Sequence, residues 1–405
     1  MSARSGHTFV VVGAGLAAGK AVQKLRDSGF DGRIVLFGDE KHLPYERPPM
    51  SKGYLMGTEE FESALVHSRD WYREHDVDLR QGTLVTGLDP VRRTVTAGEQ
   101  PQSYDKLLIT TGASPRRLRM ADESGAPVAY LRTVEDSDRI KSMHRPGSRL
   151  AIVGGGWIGL EVAAAARGAG AQVTVLETLD LPLVRVLGPE VARIFASLHQ
   201  EHGVDLRVNT TVSGIESDDG RAVVRLADGS TLEADLVVVG IGVLPNTELA
   251  EAAGLQTDNG IVVDERLCTS APDIFAAGDV ANAYHPLLGR HLRVEHWDNA
   301  IGQGEVAAQN MLGQAATHDR LPYFFSDQYD VGMEYVGSIG PEGYEQVVLR
   351  GRPGERGFTA FWLREGHVLA AMHANDWDAM EPLRKIVGTT QVIDRLSDES
   401  VPLVD

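Results

Sequence analysis

Long apolar runs alternate along the chain with stretches of helical spacing, and the alternation repeats itself. TFVVVGAG, from Thr8, is a continuous apolar run that breaks into glycine. LAAGKAVQKLRDSG follows with apolar residues three and four apart and stops at Gly29, which predicts a helix. RIVLFGD is then a second buried strand. Strand, helix and strand in this order make a parallel βαβ crossover. From Arg149 the same order recurs as RLAIVGGG, WIGLEVAAAARGAG and QVTVLE. The Ala-rich piece is a good helix former, and Gly-Ala-Gly is a good stop. Two copies this far apart are a domain duplication, not a short solenoid repeat.

YDKLLITTGASPR (104–116) and ADLVVVGIGVLPN (234–246) are apolar strands that each end in a glycine turn and a proline. They read as crossings between domains. From about residue 326 the texture changes. QVVLRG and GFTAFWLREGHVLAAMHAN read as antiparallel strands with polar turns, and AMEPLRKIVGTTQVI (379–393) as a final helix. The predicted fold is α/β, with two Rossmann-like dinucleotide-binding domains and a C-terminal α+β domain. The expected boundaries are 1–113 joined with 246–325, then 114–245, then 326–405.

Both glycine turns carry a chemical pattern. Gly13-x-Gly15-x-x-Ala18 and Gly154-x-Gly156-x-x-Gly159 each follow a strand and open a helix. The first glycine permits the tight turn, and the second lets backbone approach a pyrophosphate. The third small residue lets helix and strand pack closely. The anion then meets the helix start, where the dipole favours negative charge. Glu177 closes the second strand of the second copy, where a carboxylate hydrogen-bonds a ribose 2′-OH and repels a 2′-phosphate. The second site is therefore expected to prefer NAD(H) over NADP(H). In the first copy the acid comes later, at Asp39 or Glu40. One chain thus binds two dinucleotides, which suggests electron transfer between a held flavin and a nicotinamide.

Composition narrows this reading. The 405 residues exceed one compact core and suit two or three domains. A net charge of −18 repels phosphate backbones and anionic lipid, so neither nucleic acid nor membrane is an expected partner. The opening MSARSGHTF lacks the apolar core of a signal peptide, and LVVVGIGVL (236–244) is far short of a membrane span. A single cysteine, Cys268, allows no intrachain disulfide or cysteine zinc cluster and fits a reducing cytoplasm. No metal site is expected.

Several longer segments are more specific. GDEKHLPYERPPMSKGYL (38–55), YLRTVEDS (130–137), GGGWIGLEVAA (154–164), LVRVLGPEV (183–191), TSAPDIFAAGDVA (269–281), VEHWDNA (294–300) and SDQYD (326–330) stand out. Through them the chain resembles, over essentially its whole length, the FAD-dependent, NADH-using ferredoxin reductases that serve oxygenases and cytochrome P450 enzymes. That family has the glutathione-reductase-like fold. The resemblance implies tightly bound FAD, NADH as electron donor, and a [2Fe–2S] ferredoxin as transient partner. The expected domains become FAD-binding, NADH-binding and C-terminal interface domains.

The resemblance also implies site residues. Gly13, Gly15, Leu16, Ala17, Asp39, Arg47, Lys52, Val85, Ala113, Arg132, Asp279 and Trp297 are expected around FAD. Gly154, Gly156, Trp157, Ile158, Gly159, Glu161, Glu177, Arg185, Gly240 and Gly242 are expected around NADH. Lys52, beside the flavin, and Glu161, toward the nicotinamide carboxamide, are the expected catalytic pair. Asp279 would accept from the ribityl chain, and Trp297 would cover the pyrimidine end. Family members often carry Trp before SDQY, whereas this chain reads Tyr323-Phe324-Phe325.

Disulfide reductases and cysteine-sulfenate peroxidases need a flavin-facing cysteine, which Cys268 does not supply. Rubredoxin or monodehydroascorbate reduction, and a non-catalytic NADH-sensing flavoprotein of the apoptosis-inducing-factor type, are the alternatives. Docking an acidic ferredoxin would need basic residues, for which Arg290, Arg293, Arg350, Arg352 and Arg356 are candidates.

Overall fold

A computed structural model describes residues 6–404. Met1–Ser5, which include part of the segment read above for a secretion signal, lie outside the described residues. The chain divides into two compact units. The first gathers the chain up to Glu46, Glu62–Ser114 and Val243–Pro322; the second gathers Arg47–Phe61, Pro115–Gly242 and the chain from Tyr323.

The first unit is built on a five-stranded parallel sheet. Its strands run in the order Ile274–Ala276, Lys106–Ile109, Thr8–Val12, Arg33–Phe37 and Val77–Arg80. Helices on the faces of a parallel sheet bury its strands on both sides, which is why these strands read as unbroken apolar runs. Val10, Val11, Ile34, Val35 and Leu36 are fully buried. The Leu16–Asp27 helix connects the first βαβ unit, and Gly304 of the Trp297–Met311 helix packs against it so closely that a Cβ would meet the Ala17 carbonyl oxygen at 2.4 Å.

The second unit repeats the plan. Asp205–Arg207, Gln172–Leu176, Arg149–Val153, Leu236–Val239 and Val128–Ala129 form a five-stranded parallel sheet. The Trp157–Gly168 helix is its crossover. The next helix, Val184–Glu201, is broken at Gly188, whose φ of 71° interrupts the helical path before Pro189 resumes it. LVVV of the long apolar stretch is a buried central strand, as the pattern predicts.

The same unit holds an antiparallel sheet in the order Tyr323–Gln328, Val331–Gly337, His367–Ala374, Gly357–Arg364 and Gln346–Arg352. Its apolar side shares one core with the Trp157–Gly168 and Val184–Glu201 helices, with Trp362 fully buried and its Nε1 donating to the Leu187 carbonyl at 3.0 Å. The helix expected over 379–393 is instead two short ones, Met380–Ile386 and Ile393–Ser397. Val387 turns extended and Gly388 has φ +87°, so the helix stops there, and Thr390 bridges to His367.

Candidate functional site

The two glycine turns are built alike. Gly13 has φ +101°, and a Cβ there would lie 2.2 Å from the Thr110 carbonyl oxygen. Gly154 has φ +107°, and its Cβ would lie 2.3 Å from the Gly240 carbonyl oxygen. These two glycines are required by the protein itself. Gly15 and Gly156 are not, because a Cβ at either would meet nothing within 4 Å. Each is the N-cap of its helix, and neither supplies a side-chain cap. A side chain omitted where the protein has room for it, at a helix start rich in N–H donors, fits the close approach of a dinucleotide phosphate.

Within the second unit the expected catalytic pair meets. Lys52 Nζ lies 2.8 Å from Glu161 Oε2, and the Glu161 side chain is only 3% exposed. PPMS forms a single 3₁₀ turn ending at Lys52, whose unusual backbone (φ −126°, ψ −116°) starts the next short helix. Glu161 comes from the first turns of the Trp157–Gly168 helix. Two hydroxyls complete its surroundings: Ser51 Oγ donates to Oε2 at 2.5 Å and Ser326 Oγ to Oε1 at 2.7 Å. Lys52 also lies over the Phe325 ring, 5.3 Å from its centroid. Asp327 follows on the same strand, and burial raises its pKa, with Lys52 opposing and Glu161 and Glu334 adding to the shift.

The other expected residues fall as follows. In the first unit, Leu16, Ala17 and Ala300 form a small apolar cluster with Trp297 packed against it, and Trp297 Nε1 donates to Glu46 Oε2 at 3.0 Å. Asp39 is exposed just after the second strand, with Oδ1 accepting from Glu40 N. Val85 and Ala113 are buried, and Asp279 follows Gly278, whose N–H donates to Gln303. In the second unit Arg47 and Arg132 are brought together, Arg47 Nη1 donating to the Arg132 carbonyl at 2.7 Å.

Glu177 sits against the glycine turn. Its Oε2 accepts from Gly155 N at 2.7 Å and its Oε1 from Leu179 N at 2.9 Å. Gly159 is held by packing, since its Cβ would meet the Gly154 carbonyl at 2.2 Å. Gly240 donates to Val153, Gly242 has φ +100°, and Ile158 and Arg185 are exposed. Trp157, partly buried, packs edge-on against Phe195 and Phe324.

Sequence reasoning missed Ser51 and Ser326. Ser51 adjoins Lys52 within PPMSK, a local signal; Ser326 lies 165 residues from Glu161 and is marked only by the SDQYD segment that begins with it. Burial and Asp264 raise the pKa of the lone cysteine, Cys268, which disfavours its thiolate. The candidate docking arginines already have partners of their own. Arg293 pairs with Glu295, Arg352 with Glu355, and Arg356 with Glu201 and Asp330, while Arg350 donates to the carbonyls of Asp398 and Val401. Among the described residues no helix is long and apolar enough to cross a membrane.

Duplicated dinucleotide turns with a buried Lys–Glu pair agree with what the chain's relatives are. Residues 7–304 match the pyridine nucleotide-disulphide oxidoreductase family, and the chain belongs to it. Residues 323–405 match the reductase C-terminal family. Within this class the chain is 40% identical over 405 residues to putidaredoxin reductase of Pseudomonas putida, covering 97% of this chain and 95% of that protein. It is 39% identical over 404 residues to the ferredoxin–NAD(+) reductase component of the anthranilate 1,2-dioxygenase system of Burkholderia cepacia, covering 98% and 99%. The crystal structure of the covalent putidaredoxin reductase–putidaredoxin complex is similar at a TM-score of 0.94 and 39% identity, covering 99% and 98%.

Proposed function

We propose that this oxidoreductase passes electrons from NADH through FAD to a [2Fe–2S] ferredoxin that feeds a cytochrome P450 or a Rieske-type oxygenase, in the cytoplasm. The observation that carries the reading is the pair of uncapped glycine turns, each with a second glycine at a helix start where a Cβ would meet no protein atom, which fits the close approach of a dinucleotide phosphate. The relatives, reductases of ferredoxin-type partners, support the choice of acceptor.

FAD, when bound, takes two electrons together and gives them up one at a time, which joins a nicotinamide to a one-electron acceptor. The chain's own residues bind and orient. In the first unit the Gly15 turn, Leu16 and Ala17 would hold the FAD pyrophosphate, with Asp39, Val85 and Ala113 supplying the remaining contacts. Asp279 would accept from the ribityl hydroxyls of FAD, and Trp297 would supply an aromatic face for its ring system. The Gly156 turn holds the NADH pyrophosphate. Glu177 accepts from the ribose 2′-OH and repels a 2′-phosphate. Glu161 orients the carboxamide, and Lys52 places a fixed positive charge where negative charge gathers. Overall, NADH gives NAD⁺ and one proton while two ferredoxins each gain one electron.

Anaerobic mixing of the purified flavoprotein with NADH or NADPH tests this reading. Rapid bleaching by NADH alone, followed by reduction of added ferredoxin, is the expected result. Slow bleaching with no transfer to ferredoxin would favour the NADH-sensing alternative.

A further inference from the structure

We propose that Ser326, Gln328 and His199 are positioning residues that hold the Glu161 carboxylate in place for NADH, an inference that rests on the function proposed above. In the second unit they form one unbroken series of hydrogen bonds. Ser326 Oγ lies 2.7 Å from Glu161 Oε1, and Gln328 Nε2 lies 3.1 Å from Ser326 Oγ. His199 Nε2 lies 2.8 Å from Gln328 Oε1, and Tyr329 OH lies 3.2 Å from His199 Nδ1.

With Glu161 as a carboxylate, donation can run only one way. A carboxylate is acceptor-only, so Ser326 must donate its hydroxyl proton to it. The Ser326 oxygen is then free to accept from the Gln328 amide nitrogen. This leaves the Gln328 carbonyl facing His199, so Nε2 of that ring must carry the hydrogen. Burial lowers the His199 pKa to about 4, so the ring is neutral near pH 7 and its Nδ1 accepts from Tyr329. Every donor in the series points toward Glu161.

The placement makes the series more than packing. Ser326 and Gln328 share one face of the Tyr323–Gln328 strand, and His199 reaches them from the Val184–Glu201 helix. Ser326, Gln328 and His199 are each at most 1% exposed, and the surroundings are the shared apolar core. A polar series is costly there unless every member is satisfied. Its end point explains its presence. Lys52 and Ser51 hold Oε2, while among the described residues Ser326 supplies Oε1. Any partial turn of the carboxylate about its last bond weakens one of these contacts.

The test compares two substitutions of opposite character in the FAD-loaded protein. His199→Phe keeps a ring and removes the donor; His199→Gln keeps a donor near the Nε2 position and removes the ring. Flavin bleaching is followed anaerobically across NADH concentrations, with FAD content and unfolding midpoint measured alongside. The expected result is a limiting rate lowered about tenfold in His199→Phe, with His199→Gln close to wild type. A packing role gives the opposite order, and that order, or two variants equal to wild type, overturns the proposal. Gln328→Met, similar in shape but without the amide, is the second variant should His199→Phe not retain FAD. It is expected to be slowed alike, and a wild-type rate overturns the relay. Wild-type protein that NADH does not bleach removes the functional reading and the relay with it. Wild-type protein that bleaches beside unaffected variants removes the relay alone.

Discussion

Lys52 and Glu161 stand 2.8 Å apart with 13% and 3% of their side chains exposed, a nearly buried ion pair whose acid also takes two serine hydroxyls. Removing one partner of such a pair leaves a buried charge uncompensated, which costs about 3–5 kcal/mol. Lys52→Met is therefore expected to lower the urea unfolding midpoint strongly. Lys52→Met combined with Glu161→Gln should recover much of that loss, because no charge is left stranded. Equal midpoints for the single and double variants would show that the pair is not coupled.

The glycines of each turn divide into two kinds, and alanine separates them. Gly13→Ala sets a Cβ against the Thr110 carbonyl at a positive φ, so the fold itself should suffer. Gly15→Ala meets no protein atom. It should melt like wild type as apoprotein and fail to retain FAD. Thermal unfolding with and without added FAD distinguishes the two.

Glu177 holds two backbone N–H groups of its own turn. Glu177→Ala removes the negative charge that a 2′-phosphate would meet. The preference for NADH over NADPH is expected to fall by about tenfold or more, tenfold being about 1.4 kcal/mol. Bleaching rates with the two nucleotides report it directly. An unchanged ratio would place nucleotide selection elsewhere.

Two buried histidines tie stability to pH. Burial lowers the pKa of both His199 and His318 to about 4 from an ordinary 6.5. In the unfolded chain they take up protons near pH 6.5; in the folded chain they do so only near 4. Stability from this source is complete above about pH 6.5 and is lost as pH falls toward 4. Urea midpoints across that window should decline with acid, and His199→Gln should decline less steeply than wild type.

Legibility followed the range of the interaction. The duplicated strands and turns were readable because the pattern that makes a glycine turn spans six residues, and burial on both faces of a parallel sheet leaves runs such as FVVV and LVVV. Glu161 and Lys52 were readable only through family segments, since nothing local joins positions so far apart. Ser326 and Gln328 carry no local mark of their partners: an alternating Ser and Gln on a strand reads as a solvated face. Trp157, expected around NADH, also packs edge-on against Phe195 and Phe324, a long-range contact that no local pattern announces. The final helix ended early because one left-handed glycine outweighed good helical spacing around it.

The segmentation of the two units has a consequence for how the protein is made. The chain passes from one unit to the other five times, and the short excursion Arg47–Phe61 carries Lys52 into the second. Neither unit is a contiguous stretch of message. The strand Ile274–Ala276, which completes the first parallel sheet, leaves the ribosome after all five strands of the second parallel sheet have already appeared. A nascent chain must therefore keep its first Rossmann sheet unfinished while a later one closes, and a premature stop anywhere before residue 274 yields no complete first unit. No single cut divides this protein into its two units, and no circular permutation does either, because three segments of each alternate along the chain.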